Sequence, residues 1–97
     1  DIPARARLLG EQLAQRLEGL RKFGIVGEVR GKGMLRGVEL LAPLGKRIGQ
    51  RAMELGLILR YDPDWFALAP PLVISQEDLD LMCDIVERAV ADSLSNP

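Results

Sequence analysis

The stretch IVGEVRGKGMLRGVELLAP, from Ile25 to Pro43, carries the clearest fold signal in the chain. Residues that favour β-strands lie on both sides of a Gly-Lys-Gly triplet, and glycines between such runs are typical of tight hairpin turns. We therefore predict two strands, Val26–Arg30 and Met34–Leu41, joined by a turn at Gly31–Gly33. Pro43 is expected to end the second strand, because proline has no backbone N–H to donate to a sheet.

Three helices are predicted around this hairpin. In Ala4–Lys22 the apolar residues recur at spacings of three and four, the period of one helix face; they are Leu9, Leu13, Leu17 and Leu20. Gly45–Leu55 has the same pattern, and Gly24 and Gly56 suit the ends of these two helices. Ser75 opens the last helix in the sequence Ser-Gln-Glu-Asp, because its hydroxyl can cap the first turn.

Two further strands are predicted between the second and third helices. They are Leu57–Arg60 and Trp65–Ala69, and Tyr61–Asp64 between them has the composition of a turn. Pro70 and Pro71 cannot donate hydrogen bonds, so they must lie at the edge of the sheet or beyond it. The predicted order of elements is α-β-β-α-β-β-α, and 97 residues suit a single domain.

Composition argues against several functional classes. The formal net charge is -1, whereas a nucleic-acid-binding domain usually carries a basic excess. No apolar run approaches the roughly 20 residues of a membrane span. Histidine, the commonest general base and metal ligand, is absent, and Cys83 is the only cysteine, which fits a reducing compartment such as the cytoplasm. The chain starts at Asp1 rather than Met, which favours a piece of a longer protein.

Few side chains are candidates for covalent chemistry or phosphate binding. The lysines, at positions 22, 32 and 46, lie at element ends or in a first helical turn, so all three are expected to face solvent. Cys83 has acidic neighbours on its helix and no feature that would lower its pKa, which favours a packing role. Gly31–Gly33 lacks the Lys-Ser or Lys-Thr of a phosphate-binding loop, and a solvated hairpin tip is the better interpretation.

Arg60 admits two interpretations. It follows an apolar run, and its planar guanidinium group suits bidentate binding of a carboxylate. Alternatively, it is a strand-end arginine whose stem covers apolar surface while its charge reaches water. Residue type and spacing alone favour the second interpretation, because charged residues are common at strand ends.

Two ordered patterns resemble the C-terminal part of the class III pyridoxal-phosphate-dependent aminotransferases, the group that includes ornithine, GABA and omega-amino-acid aminotransferases. VRGKGMLRGVEL, at Val29–Leu40, resembles the family segment Val-Arg-Gly-x-Gly-x-x-x-Gly-aliphatic-Glu-Leu. ELGLILRYDPDWFALAPPLVISQEDLDLMCDIVERAV, at Glu54–Val90, resembles the family's last stretch. There a Gly-Leu-x-x-Arg strand leads to a strand that ends in Pro-Pro-Leu, followed by an acidic helix.

The resemblance implies an α+β fold, with a small antiparallel sheet of three to four strands and helices packed on one face. Residues 1–97 would be the C-terminal small domain, and the large domain of the same parent chain would bind pyridoxal phosphate. The parent would be a cytoplasmic homodimer that transfers an amino group from an amine or amino acid to a keto acid or aldehyde. No residue of this chain matches a catalytic, cofactor-binding or metal-binding position, so the chain alone is expected to be inactive.

The resemblance also implies a role for Arg60. In many omega-amino-acid members of the family, an arginine at this position binds the substrate carboxylate and swings aside for uncharged substrates. Tyr61–Asp64 would then be the loop that allows this movement, while Trp65, Phe66 and Leu68 would pack the sheet or its contact with the large domain.

Two alternatives remain open on the sequence. One is a stand-alone α+β module that binds a small ligand or regulates another protein, because fold does not determine function. The other is a nucleic-acid-binding module that uses Arg30, Lys32 and Arg36 around the hairpin. The near-neutral charge and the lack of aromatic residues on those strands disfavour this second alternative, and neither a nucleic acid nor a membrane is an expected partner.

Overall fold

The computed structural model describes residues 2–71 and 74–95, apart from the side chain of Ile2. Its elements are α1 (Ile2–Glu18), a 3-10 helix (Gly19–Phe23), β1 (Val26–Lys32), β2 (Leu35–Leu40), α2 (Gly45–Glu54), β3 (Arg60–Asp62), β4 (Trp65–Leu68) and α3 (Gln76–Ser95). This order confirms the predicted α-β-β-α-β-β-α. Leu72 and Val73, which complete the Pro-Pro-Leu pattern, lie outside the described residues. Within those residues, no helix combines the length and apolarity needed to cross a membrane.

The four strands form one antiparallel sheet in the order β1-β2-β4-β3. The helices pack on one face of this sheet, where the side chains of Val38 and Phe66 are 1% and 0% exposed. This is the α+β arrangement that the resemblance implies. Because β4 inserts between β2 and β3, residues far apart in the sequence become neighbours across the middle of the sheet.

The core confirms the helical patterns. All four leucines of the first helical stripe are buried, as are Ile48 and Ala52 of α2 and the apolar face of α3, which comprises Leu79, Met82, Val86, Ala89 and Val90. Ser75 caps α3 as predicted, since its Oγ accepts a hydrogen bond from the N–H of Asp78 at 3.0 Å. Arg16 of α1 binds Asp84 and Glu87 of α3 at 2.7 and 3.0 Å, which joins the two helices at their surface.

The first hairpin differs from its prediction by two residues. Strand β1 continues through Gly31 to Lys32, and the turn lies at Gly33 and Met34 rather than at Gly31–Gly33. The positive φ of Gly31, 125°, allows the strand to continue irregularly, and Gly33, at φ 54°, enters the turn. Arg36 stabilises this end of the hairpin through two hydrogen bonds. Its Nε donates to the carbonyl of Gly33 at 2.8 Å, and its Nη1 donates to the carbonyl of Gly31 at 3.1 Å.

The third strand was predicted too early in the chain. Leu57–Arg60 was expected, but β3 is Arg60–Asp62, and the turn is reduced to Pro63 and Asp64. The register explains the shift, since Arg60 pairs with Ala67 and extension toward Leu57 would meet Pro70. A proline cannot donate a hydrogen bond to the neighbouring strand, so pairing ends before it.

The first helix also ends earlier than expected, at Glu18. The chain continues as a 3-10 helix, which ends at Gly24, where φ is 76°.

Candidate functional site on the uncovered sheet face

One face of the sheet is not covered by the helices, and we call it the open face. Successive side chains of a strand point to opposite faces. Because Val38 and Phe66 point toward the helices, their neighbours in β2 and β4 point to the open face. The strand register arranges the open face in two rows. One row consists of Arg30, Gly37, Ala67 and Arg60, and the next consists of Glu28, Glu39, Trp65 and Asp62.

Arg60 lies at the start of the edge strand β3 and is exposed. It stands directly opposite Ala67, which has a small side chain. Within residues 2–71 and 74–95, Arg60 makes no hydrogen bond or ion pair. A guanidinium group without a protein partner, on a face without helices, is available to bind an external anion.

Arg30, at the other end of the same row, is occupied. Its Nη2 lies 3.1 Å from a carboxylate oxygen of Glu28 and also contacts Glu39 on the adjacent strand. The two carboxylates neutralise this arginine. The positive charge available on the row of Arg30 and Arg60 is therefore concentrated at Arg60.

A cavity of about 230 Å³ lies beside Arg30 on the open face. It is lined by Arg30, Gly37, Val38, Glu39, Trp65 and Phe66. Trp65, the only tryptophan of the chain, is 38% exposed there. The sequence suggested that Trp65 packs the sheet or a contact with the large domain, but it could not reveal this cavity, because the cavity exists only once β4 pairs with β2.

The turn after Arg60 is anchored to the rest of the domain. The N–H of Gly45 donates to the carbonyl of Pro63 at 3.1 Å, and the N–H of Leu40 donates to that of Asp64 at 2.8 Å. The Tyr61 ring lies against Gly49 of α2, where a side chain larger than hydrogen would collide with it. The structure thus places Tyr61 and Asp62 in a strand rather than in the expected loop, so movement of Arg60 would come from rotation of its own side chain.

The lysines of the chain lack the surroundings of a lysine that bonds to pyridoxal phosphate. All three lysines are exposed, as predicted. The Nζ of Lys22 binds Glu87 at 3.1 Å, and this bond, with that from Arg16, lowers the pKa of the Glu87 carboxyl. A lysine that bonds to the cofactor needs a desolvated or electropositive pocket, and none of the three has one. Across the described residues there is also no cluster of three or more His, Cys, Asp or Glu that could hold a metal ion.

Cys83 is a packing residue. Its side chain is buried, and burial raises the pKa of the thiol to about 11. The thiol is therefore protonated at neutral pH and is a poor nucleophile.

The Gly31–Gly33 segment does not have the features of a phosphate site either. Arg36 donates hydrogen bonds to the carbonyl groups of Gly31 and Gly33, and the exposed Lys32 lies at the end of β1.

Comparison with known proteins agrees with this arrangement. Residues 1–90 match the model of the class-III aminotransferase family. The chain belongs to this family. It is 37% identical to the alanine/serine racemase of Pyrococcus horikoshii, covering 90% of this chain and 21% of the racemase. It is 38% identical to the acetylornithine aminotransferase of Methanosarcina mazei, covering 88% of this chain and 21% of the relative.

Solved transaminase structures have the same fold. A transaminase with L-alanine superposes with a TM-score of 0.89 at 33% identity, covering 98% of this chain and 25% of the transaminase. The omega transaminase of Pseudomonas jessenii in complex with PMP gives a TM-score of 0.88 at 28% identity, covering 97% and 23%. The class III chain therefore spans about a quarter of the length of these relatives or less.

Proposed function

We propose that this chain is the C-terminal small domain, residues 1–97, of a longer pyridoxal-phosphate-dependent aminotransferase. The parent would transfer an amino group between an amine or amino acid and a keto acid or aldehyde. The family match over residues 1–90 carries the proposal, and the small share of each relative that the chain covers supports the existence of a large domain. The parent would act in the cytoplasm as a homodimer.

Pyridoxal phosphate would be bound by the large domain of the same parent chain. The exposed lysines of this chain favour that assignment, as does the relative in complex with PMP. When bound, the cofactor supplies an electron sink for carbanion chemistry. The small domain would contribute substrate contacts and the closure that excludes water from the site, and it would be inactive alone.

Arg60 would bind the carboxylate of an amino-acid or keto-acid substrate. Its exposure and its lack of a partner among the described residues support this role. Binding through two of the guanidinium nitrogens would orient the substrate, because the paired hydrogen bonds fix the plane of the carboxylate. Substrates without a carboxylate would leave Arg60 in solvent, where its charge is already stabilised.

Amino-acid racemisation is a second candidate. The similarity to an alanine/serine racemase at 37% identity and to the leucine/methionine racemase of Thermococcus litoralis at 36% identity favours it. Both reactions begin with an amino acid, so a carboxylate-binding Arg60 fits either one. The two differ in their need for an acceptor, since racemisation uses a single substrate.

The full-length protein that carries this chain tests the proposal. With pyridoxal phosphate and one L-amino acid, we expect a new amino acid to form only when a keto acid or aldehyde is added. Formation of the D-amino acid without an acceptor would replace transamination with racemisation. Mixing the 97-residue chain alone with the cofactor should give no lysine-bound visible absorption band. A stoichiometric band that one Lys→Ala substitution abolishes would contradict the assignment of the cofactor to the large domain.

A further inference from the structure

The edge strand that carries Arg60 has few sheet contacts of its own. Strand β3 has only three residues and pairs on one side, with β4. Residues 57–59 before it are not part of a strand, and a two-residue turn follows it. A pair of strands joined by a short turn is marginally stable by itself and needs to pack against further structure. The position of β3, and of Arg60 with it, therefore depends on what else contacts this strand.

Helix α2 supplies that contact through Gly45 and Gly49. The two glycines are four residues apart, so they lie on the same side of the helix, and both are buried. A Cβ added at Gly45 would lie 2.9 Å from the carbonyl carbon of Asp62, and the N–H of Gly45 donates to the Pro63 carbonyl. A Cβ added at Gly49 would collide with Cδ2 of the Tyr61 ring and lie 2.9 Å from its Cγ. We call this close contact surface of α2 the glycine notch.

Backbone conformation does not explain the two glycines of the notch. Neither Gly45 nor Gly49 has a positive φ angle, so other residues could adopt the same backbone. Gly49 lies in the interior of α2, where glycine lowers helix stability relative to alanine. The available space therefore explains both glycines, because only a residue without a Cβ lets α2 approach β3 this closely.

Tyr61 is linked to Arg60 through the strand itself. Tyr61 directly follows Arg60 and pairs with Phe66, whose side chain is fully buried on the helix-covered face. Side chains alternate along a strand, so Tyr61 points toward the helices and Arg60 toward the open face. Rotation of β3 about its own axis would therefore move both side chains together. Because the guanidinium group lies at the end of a long side chain, a small rotation of the backbone displaces it by a larger distance.

We propose that Tyr61, packed in the glycine notch of α2, is a positioning residue that fixes the orientation of Arg60 toward a substrate carboxylate. This inference rests on the proposed role of Arg60 and adds the contact that determines where the guanidinium group is presented. Tyr61 points away from the open face, so it acts on the substrate only through β3 and Arg60. Loss of its ring should change the binding of carboxylated substrates and leave uncharged substrates unaffected.

Kinetics of the full-length protein with an amine and its carboxylated analogue test this inference. Tyr61→Ala should lower kcat/KM for the carboxylated substrate about tenfold, mainly through KM, and change that for the amine less than about twofold. Gly49→Ala, which displaces the ring, should shift the ratio of the two kcat/KM values in the same direction, and it decides the question where Tyr61→Ala does not fold. Tyr61→Phe, which keeps the ring, should restore most of the loss.

Control variants separate positioning from stability. Phe23 is a partly buried ring in the 3-10 helix that leads into β1, at the opposite edge of the sheet from β3. Phe23→Ala should lower Tm and leave the ratio of the two kcat/KM values unchanged. Gly19→Ala should also leave this ratio unchanged, because its added Cβ would meet no atom within 4 Å. In an Arg60→Ala background, Tyr61→Ala should cause no further loss on the carboxylated substrate, because a residue that acts through Arg60 has no effect in its absence.

The outcomes distinguish this inference from the proposed function. A selective loss in Arg60→Ala, with equal effects of Tyr61→Ala and Gly49→Ala on both substrates, would overturn the positioning role and leave Arg60 as the carboxylate-binding residue. A further tenfold loss from Tyr61→Ala in the Arg60→Ala background would also overturn it, since Tyr61 would then act independently of Arg60. Equal losses on both substrates in Arg60→Ala itself would overturn the role of Arg60 and the positioning role of Tyr61 with it.

Discussion

Replacement of Gly45 by alanine should destabilise the domain at the hairpin that carries Arg60. Gly45 is the first residue of α2, and its N–H donates a hydrogen bond to the Pro63 carbonyl in the β3–β4 turn. An added Cβ would penetrate the Asp62 carbonyl and lie 2.9 Å from the Trp65 carbonyl oxygen. Both groups are backbone, so no side-chain rotation can relieve the collision, and the hairpin must move away from the helix.

The expected loss is about 2 kcal/mol. Overpacking of this kind typically lowers the free energy of unfolding by about 1–3 kcal/mol. The better helix propensity of alanine offsets at most about 1 kcal/mol of this loss. A domain of this size unfolds at a cost of roughly 5–15 kcal/mol. For a chain of up to about 100 residues, a loss of 2 kcal/mol lowers Tm by about 8–16 °C.

Thermal unfolding followed by circular dichroism measures this change. Gly19→Ala is the matched control, because its Cβ would meet nothing within 4 Å, and it should leave Tm unchanged or raise it by a few degrees. A Tm for Gly45→Ala within about 2 °C of the wild type would refute the close packing of α2 on the hairpin, since such a shift corresponds to less than about 0.5 kcal/mol.

Three further outcomes test other parts of the structure. Ser75→Ala should cost about 1 kcal/mol, seen as a Tm lower by about 5 °C, because it removes the cap of α3. Cys83 should react with a thiol reagent about a hundredfold more slowly in the folded chain than in denaturant, since the thiol is buried and its pKa is about 11; equal rates would place it at the surface. Lys22 and Arg16 lower the pKa of Glu87 below its unfolded value, so the stability from these contacts is present above the unfolded pKa and is lost as the pH falls through the folded one. The wild-type Tm should therefore fall across acidic pH more steeply than that of Glu87→Gln, and parallel curves would contradict the pairing.

Local pattern was sufficient to predict the elements, because each depends on neighbouring residues. The leucine stripe of α1 and the Ser75 cap of α3 are short-range features, and both are confirmed. The turn of the first hairpin was misplaced because Gly31 and Gly33 each permit a turn. Contacts distant in sequence contribute to the choice, since Gly10 of α1 packs so closely on the Gly33 backbone that a Cβ added at Gly10 would collide with the Gly33 carbonyl.

The site was only partly predictable for the same reason. Arg60 was identified from its place in a family pattern, and the structure finds it exposed on the open face. Its neighbours Ala67 and Gly37 could not be chosen from the sequence, because their adjacency depends on β4 entering the sheet between β2 and β3. Nothing in the local sequence of β2 indicates that Gly37 faces a cavity rather than a helix.

The kinetic effect of Arg60→Ala on a matched pair of substrates tests the central claim most directly. In the full-length protein, kcat/KM is measured for an amine and for its carboxylated analogue, with Arg7→Ala, an exposed arginine of α1, as the control. Loss of a charged bidentate contact should reduce kcat/KM for the carboxylated substrate about ten- to a hundredfold and leave the amine unchanged. Arg60→Lys should restore only part of the activity, because an ammonium group cannot form the paired contact. Equal losses on both substrates would show that Arg60 does not bind the carboxylate and is a surface residue at the start of a strand.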